Sequence, residues 1–217
     1  MSLFDTRFVN LPENLAVFPL AGVLLLPRGN LPLNVFEPRY LNLVEDALAS
    51  DRIIGIIQPK SPDDESAQPT LYDTGCAGRI VHFEEADDGR FLITLKGVCR
   101  FNINDELPSH KSYRVVKPNW AAFENDMSIP PDGKIDRKAL FKRLKLYFSH
   151  KNIDAEWNSL DSAPDERLIH SLSMVCPFNP VEKQALLEAP NLQERSTILN
   201  TLLEMAALGD DISSSRQ

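Results

Sequence analysis

Between Leu71 and Glu106 the side chains alternate with a period of two, and no helical spacing interrupts them. Cys76, Gly78, Ile80, His82 and Glu84 fall on one side of that alternation, and Ala77, Arg79, Val81 and Phe83 on the other. Such a pattern is the pleat of a β-strand. Asp87-Asp88-Gly89 supplies turn chemistry, and Phe91 to Leu95 returns as the partner strand. Gly97 then interrupts, as a bulge or sharp bend would where a small barrel curls. Val98, Arg100 and the stretch from Tyr113 to Trp120 continue the β pattern. Consecutive strands without intervening helices exclude a doubly wound α/β sheet. At Pro130-Pro131-Asp132-Gly133 the period changes from two to about 3.6, which sets a domain boundary there. The chain is therefore of the α+β class, sheet first and helices after.

Upstream, Leu15 to Asp51 predicts a short strand, a turn, a second short strand and a helix. Ala16-Val17-Phe18 is strand-prone and stops at Pro19, while Val23 to Leu26 forms a second apolar run ended by Pro27-Arg28-Gly29-Asn30. Leu31 to Phe36 extends towards Glu37, and Pro38 suits the first turn of a helix, where its missing N–H is not needed. Tyr40, Leu41, Val44, Ala47 and Leu48 then recur at helical spacing. Phe4 and Phe8 are read as parts of an N-terminal arm docking on the body. Ile53 to Ile57 is read as a buried strand, and Pro59 to Pro69 as a solvated loop.

In the second half, Leu140, Leu144, Tyr147 and Phe148 mark one helix, and Asp154 to Leu160 a short one. Leu168, Leu172 and Val175 mark a third that Pro177 ends. Asn179-Pro180-Val181-Glu182 has helix-start grammar: a cap residue, proline at the first position and glutamate at the third. Asn191-Leu192-Gln193-Glu194 repeats it for the last helix. Leu199, Leu202, Leu203 and Ala206 form that helix's stripe before Gly209 stops it. The polar remainder is expected to be disordered.

Three blocks carry a resemblance: FPLAGVLLLPRGNLPLNVFEPRY, then GCAGRIVHFEEADDGRFLITLKGVCRF, then PFNPVEKQALLEA at 177–189. In this order they resemble the N-terminal substrate-binding domain of Lon proteases, and most of all the stand-alone bacterial members of that family. The resemblance implies a PUA-like β pseudo-barrel over residues 1–128, an α-helical bundle over 129–209 and a disordered tail over 210–217. It also implies recognition of protein substrates or partners, not their cleavage.

Composition narrows the functional classes. A formal net charge of −8 argues against a nucleic-acid partner, because phosphate binding depends on clustered Lys and Arg. No stretch approaches the roughly 20 apolar residues needed to span a bilayer. The first residues lack the apolar core of a signal peptide. Cys76, Cys99 and Cys176 are odd in number and widely spaced, which fits reduced thiols and a cytoplasmic location.

Motifs for chemistry are sparse. The sequence has no GxxxxGK[ST], GxSxG or HExxH. At this length it predicts neither an ATPase nor a peptidase part, and no catalytic residue, metal or cofactor is assigned. His82 and Glu84 share a strand face, but a zinc site wants three or four ligands. His150 and Asp154 stand four apart across a predicted break near Asn152. Arg100 beside Cys99 could lower a thiol pKa, yet strand neighbours point to opposite faces, and a buried inert cysteine is the simpler reading.

The remaining block is Phe36 to Tyr40. In one reading Phe36 and Tyr40 are core anchors of the helix against the barrel, and Glu37 and Arg39 brace its start. In the other, Phe36, Arg39 and Tyr40 line a groove that receives a peptide. The structural reading carries more weight, and the three residues are the ones assigned to partner binding if the block binds at all. A groove between the β-domain and the bundle is the expected location.

Three functions follow. The first is a non-catalytic module that recognises unfolded or specific protein substrates, in quality control or proteolysis alongside a separate protease or chaperone. The second is a small-molecule enzyme using His82, Glu84 and Arg100. The third, raised by the PUA-like expectation, is RNA binding, against which the acidic balance argues. The sequence fixes no oligomeric state.

Overall fold

Leu15–Pro19 is β1, and it pairs in parallel with β3, Ile53–Ile57, at Val17 opposite Gly55. Between them lie β2 (Asn30–Val35) and α1 (Pro38–Leu48). β4 (Thr74–Glu85), β5 (Phe91–Leu107) and β6 (Arg114–Asn119) complete a six-stranded sheet of order β2-β5-β4-β3-β1-β6. β6 pairs with both β1 and the second half of β5. β5, β4, β3, β1 and β6 therefore close on themselves, and β2 adds to the first half of β5 outside that ring. Closure leaves these five strands without a free edge along the paired stretches. The computed structural model describes residues 7–61, 68–131, 135–151 and 153–214. Phe4 and the middle of the Pro59–Pro69 loop lie outside them. The base of that loop is fixed by Lys60 N–H donating to Thr70 O at 2.7 Å.

The interior is built from alternate strand positions. Leu15, Val17, Ile53, Ile57, Ala77, Phe101 and Val116 form one buried cluster, with Ile103 and Trp120 packed on its margin. The Trp120 indole N–H donates to Pro12 O at 3.1 Å and ties down the approach to β1. α1 lays Tyr40, Leu43, Val44 and Ala47 inward; of the stripe that its spacing predicts, Leu41 and Leu48 are only half-buried, and Leu43 is added.

The predicted second strand, Val23 to Leu26, is not a strand. Gly22 and Arg28 at its two ends have φ of 69° and 65°, and the leucines between them are buried in irregular chain. The reason lies in the sheet beneath. A Cβ on Gly78 would come within 2.7 Å of the Leu25 side chain, and one on Gly97 within 2.0 Å of Leu26 O. Where a ladder would have run, the backbone crosses β4 and β5 over these two gaps. Gly97 N–H donates to Gly29 O at 2.8 Å, and Arg28 N–H donates to Gly97 O at 2.7 Å. The crossing thus satisfies its own polar groups. The same place carries a register shift between Ala77 and Gly78, the bulge expected at Gly97.

The described chain separates into two compact units, Met1–Ile129 and Pro130–Gln217. The second is helical: α2 (Arg137–Lys151), α3 (Trp157–Ser162), α4 (Asp165–Val175), α5 (Pro180–Glu188) and α6 (Leu192–Ser214). Leu140, Leu144, Tyr147 and Phe148 face inward from α2. The grammar at Asn179 is a full capping box: Glu182 N–H donates to Asn179 Oδ1 at 2.9 Å, and Asn179 N–H to the Glu182 carboxylate at 2.8 Å. Arg195 is buried in α6. Its guanidinium donates to Leu186 O at 2.8 Å and Ala189 O at 3.1 Å, and meets His170 Nε2 at 3.0 Å. Guanidinium can only donate, so this imidazole nitrogen accepts and the ring carries its proton on Nδ1. One side chain thereby caps α5 and joins it to α4.

Two expectations fail here. Val175 belongs to α4 but is exposed instead of forming part of its inner stripe. Gly209 does not stop α6, which continues to Ser214, and the expected disordered tail is helical up to that residue. A glycine costs a helix only about 1 kcal/mol, too little to end it without a left-handed turn. No described helix is long and apolar enough to cross a membrane.

Gly97→Ala should cost about 3 kcal/mol, because the atoms it meets are backbone and cannot move aside. Gly89→Ala, strained by φ of 80° but facing open space, should cost about 1 kcal/mol. Equal losses in urea unfolding would contradict the crossing. In the helical unit, Ser173 Oγ is buried with no hydrogen-bond partner among the described residues. Ser173→Ala should leave stability unchanged or raise it, whereas Arg195→Ala should lower it by about 3 kcal/mol. Thermal unfolding of the two variants checks the opposite signs.

Candidate functional site

β2, the first half of β5 and the outer half of β4 extend from the closed ring as a three-stranded arm. Its register sets Val35 opposite Phe91, Asn34 opposite Leu92 and Leu33 opposite Ile93, while Phe83 faces Ile93 across the β4 ladder. The inward positions Val35, Phe91 and Ile93 are buried, and Phe83 meets the Phe91 ring edge-to-face with centroids 5.1 Å apart. Apolar exposure on this arm is unusual and falls on both faces: Phe83, opposite the buried Ile93, edges the inward face, whereas Leu92, opposite Asn34 and Glu84, is on the outward one. Phe36, one residue past the end of β2, is 64% exposed, Val81 52%, Phe83 39% and Leu92 37%. The register shifts between Ile80 and His82, which throws Val81 out of the alternation and into solvent. Single exposed apolar residues are ordinary, but four within a few ladder positions make this arm the candidate surface.

The rim of this surface is acidic. Glu84, Glu85, Asp87 and Asp88 are exposed around the turn, and Arg90 pairs with Asp88 at 2.7 Å. β2 pairs with β5 alone among the described strands, so its other edge is open. Pro32 sits in the middle of that edge with no N–H to offer, which blunts it against strand addition. Binding here would run through side chains, not through an added strand.

The Phe36–Tyr40 block does not act as one unit. Phe36 is exposed on the arm, not in the core, because the chain leaves β2 at Val35 and turns into α1 before its ring can reach the interior. Tyr40 is buried and stacks on Phe18 with centroids 3.9 Å apart, and burial raises its hydroxyl pKa. Arg39 lies over the Tyr40 ring at 4.6 Å and donates to the Glu37 carboxylate at 2.9 Å. That pair takes the bracing role predicted for it.

Arg39 also lines a cavity of about 590 Å³ with Glu106, Lys111, Ser112, Tyr113 and Arg114. Its cations are already matched. Arg114 donates to both Glu106 oxygens at 2.7 and 2.6 Å. Lys111 Nζ and the Tyr113 hydroxyl donate to Asp46 at 2.6 and 2.5 Å. Those two hydrogen bonds, the lysine's first, hold the Asp46 carboxyl below its ordinary pKa. A neutralised polar cavity of this kind has little charge left over for a ligand.

His82, Glu84 and Arg100 do not converge. His82 Nε2 lies 3.8 Å from Glu84, with both side chains about three-fifths exposed on the arm. Arg100 is buried in the ring. Its Nε and Nη2 donate to the two Asp126 oxygens at 2.9 and 2.8 Å, and its own backbone N–H reaches Asp126 as well. This pair fastens the 3-10 segment Ala121–Met127 onto β5. Cys99 beside it is pushed up to about 12, by burial first and the Asp126 carboxylate second, so the adjacent arginine does not activate it. Its thiol instead donates to Phe123 O at 3.4 Å. Among the described residues no group of three or more His, Cys, Asp or Glu is placed to hold a metal. His150 lies in the last turn of α2 and Asp154 beyond its end, so they share no helical face.

Sequence reasoning missed Val81, Phe83 and Leu92 as surface residues. Their spacing is that of any strand, and only the bulge and the projection of the arm expose them.

Comparison with known proteins matches this architecture. Residues 14–205 match the family of the ATP-dependent protease La (LON) substrate-binding domain. A Lon protease of Flavobacterium johnsoniae is 26% identical over 94% of this chain and 26% of its own length. Lon protease 1 of Herpetosiphon aurantiacus is 24% identical over 91% of this chain and 25% of its own. The chain thus spans about a quarter of these curated relatives. In structure it resembles a Lon N-terminal domain protein from Xanthomonas campestris, with TM-score 0.58 and 22% identity over 88% of this chain and 97% of that one. The N-terminal domain of Mycobacterium avium complex Lon protease gives 0.59 and 14% over 88% and 98%. With a family match across most of its length and the same fold in these structures, the chain belongs to the Lon substrate-binding domain family.

Proposed function

We propose that this chain is a non-catalytic polypeptide-recognition module that holds unfolded or specific protein substrates on the β2–β5–β4 arm. The carrying observation is that Phe36, Val81, Phe83 and Leu92 are exposed within a few ladder positions of one three-stranded arm, with Leu92 on one face and Phe83 at the margin of the other. Apolar side chains fixed in solvent by a paired sheet keep their conformational entropy cost already settled, so a partner gains from burying them. At about 25 cal/mol per Å² of apolar area, a few exposed segments of an unfolded chain would supply modest, reversible affinity. Charge around the arm supports the same reading. Glu84, Glu85, Asp87 and Asp88 form a polar rim that keeps the surface soluble and disfavours polyanions. Phe36 is the one member of the sequence-assigned set that lies on this surface. Arg39 and Tyr40 support it by setting the start of α1.

The names of the full-length relatives connect the family with proteolysis, and we place this module in protein quality control, handing polypeptides to a separate protease or chaperone. An enzymatic role has less support, since Arg100 is buried against Asp126 while His82 and Glu84 are paired in solvent on the arm.

Fluorescence anisotropy with a reduced and alkylated, permanently unfolded polypeptide tests this reading. The wild-type chain should bind it, and Phe36→Ser combined with Phe83→Ser should weaken binding by about tenfold or more. Arg39→Ala should change it little. Binding unaltered by the double substitution would refute the placement on the arm, and no binding by the wild type would refute the function.

A further inference from the structure

α2 is chemically unlike the rest of this acidic chain. Its fifteen residues carry Arg137, Lys138, Lys142, Arg143, Lys145 and Lys151 and no Asp or Glu, in a protein of formal charge −8. Both arginines are engaged. Arg137 pairs with Asp165 at 2.7 Å and donates to carbonyls of α3 and the turn after it. Arg143 pairs with Glu204 at 3.1 Å. Among the described residues Lys138, Lys142 and Lys145 have no carboxylate within salt-bridge distance.

Their spacing puts the three on one outward stripe, opposite the buried Leu140, Leu144 and Tyr147, over roughly 10 Å of helix. The stripe separates two clefts. One, of about 360 Å³, lies towards α3 and is lined by Phe141 and Trp157, with Lys145 Nζ 5.6 Å from the indole centroid. The other, of about 470 Å³, lies towards α6 and is lined by Leu146, Leu203 and Ala207. Leu146 is 50% exposed.

We infer that this face of α2 docks an acidic polypeptide segment that carries large apolar side chains, its carboxylates over the lysine stripe and its apolar groups in the flanking clefts. Charge complementarity selects the sign of the partner, because three ammonium groups lie in line with no carboxylate at salt-bridge distance among the described residues. The clefts select a polypeptide over a nucleic acid. The one towards α6 offers Ala139, Leu146, Leu203 and Ala207 to an apolar side chain, with His150 and Arg143 also in its lining. Asp161 and Glu204 stand at their margins, where a backbone charged at every residue would meet them. A peptide can set its charges over the lysines alone. The surface is chemically opposite to the acidic arm, so it would choose a different class of segment.

The test uses the full chain and a fluorescein-labelled synthetic peptide in which Asp and Glu are interspersed with Leu and Phe. The wild type should bind it, and binding should weaken as salt rises. Combined Lys138→Glu, Lys142→Glu and Lys145→Glu should lower affinity by about tenfold or more. The milder triple change to Gln should lower it less but in the same direction, and circular dichroism should show both variants folded. Leu146→Ser should weaken binding severalfold, while Phe36→Ser should leave it as in the wild type and so separate this surface from the arm. Equal affinity of the folded triple variants would overturn the inference. So would tighter binding of a single-stranded oligonucleotide, or self-association in sedimentation that the triple substitution abolishes, which would mean that a second copy covers the stripe.

Discussion

The β unit depends on one close approach, the passage of the Leu26–Gly29 backbone across Gly97. A Cβ there would sit 2.0 Å from a carbonyl oxygen, so no other residue fits without moving main chain. Two backbone hydrogen bonds lock the crossing on either side of the glycine. With it in place, Leu24, Leu25 and Leu26 fill the space under the sheet, and β5 bends from β2 to β6. That bend lets one long strand serve both the closed ring and the projecting arm. Closure and projection are two results of the same contact. The buried Arg100–Asp126 pair serves the second half of β5 in a comparable way. Breaking one partner of such a pair would leave an uncompensated charge inside, which is costlier than never having placed it.

How much of this was legible in the sequence follows from the range of each interaction. The strands of the β4–β5 hairpin, the capping box at Asn179 and the inner stripe of α2 are local patterns, and they appear where their spacing places them. Val23 to Leu26 has the composition of a strand, but its partners are glycines some fifty to seventy positions away, and no local rule contains that. Gly209 carried a stop signal that works only when the chain turns left-handed there. Phe36 defeated the burial rule for a similar reason. Its type says core, while its place one step beyond β2 carries it past the interior.

The functional block shows the same division more sharply. Phe36, Arg39 and Tyr40 are within five positions of each other and end in three environments: solvent, the margin of a polar cavity, and the core against Phe18. Proximity in sequence at a strand-to-helix corner says little about proximity in action, since successive residues there leave the backbone in divergent directions. The other exposed apolar residues of the arm come from β4 and β5, and the ladder register, not the motif, brings them to it. The same holds for His82, Glu84 and Arg100, which share a sheet yet face different surroundings.

The distribution of charge carries the argument further than the total does. A net of −8 argues against a polyanion partner for the chain as a whole, but a whole-chain sum averages over surfaces that a partner meets one at a time. The arm concentrates carboxylates around apolar side chains, whereas α2 sets Lys138, Lys142 and Lys145, with no carboxylate at salt-bridge distance among the described residues, beside its clefts. Screening confines each field to about 10 Å at ordinary ionic strength, so a segment docking on one surface senses that surface and little beyond it. On the function and the docking face proposed above, apolar burial would supply affinity at both places, and the local sign of charge would decide which segments receive it. A chain with two such surfaces can discriminate among unfolded polypeptides without reading their sequence, by the charge that accompanies their apolar residues.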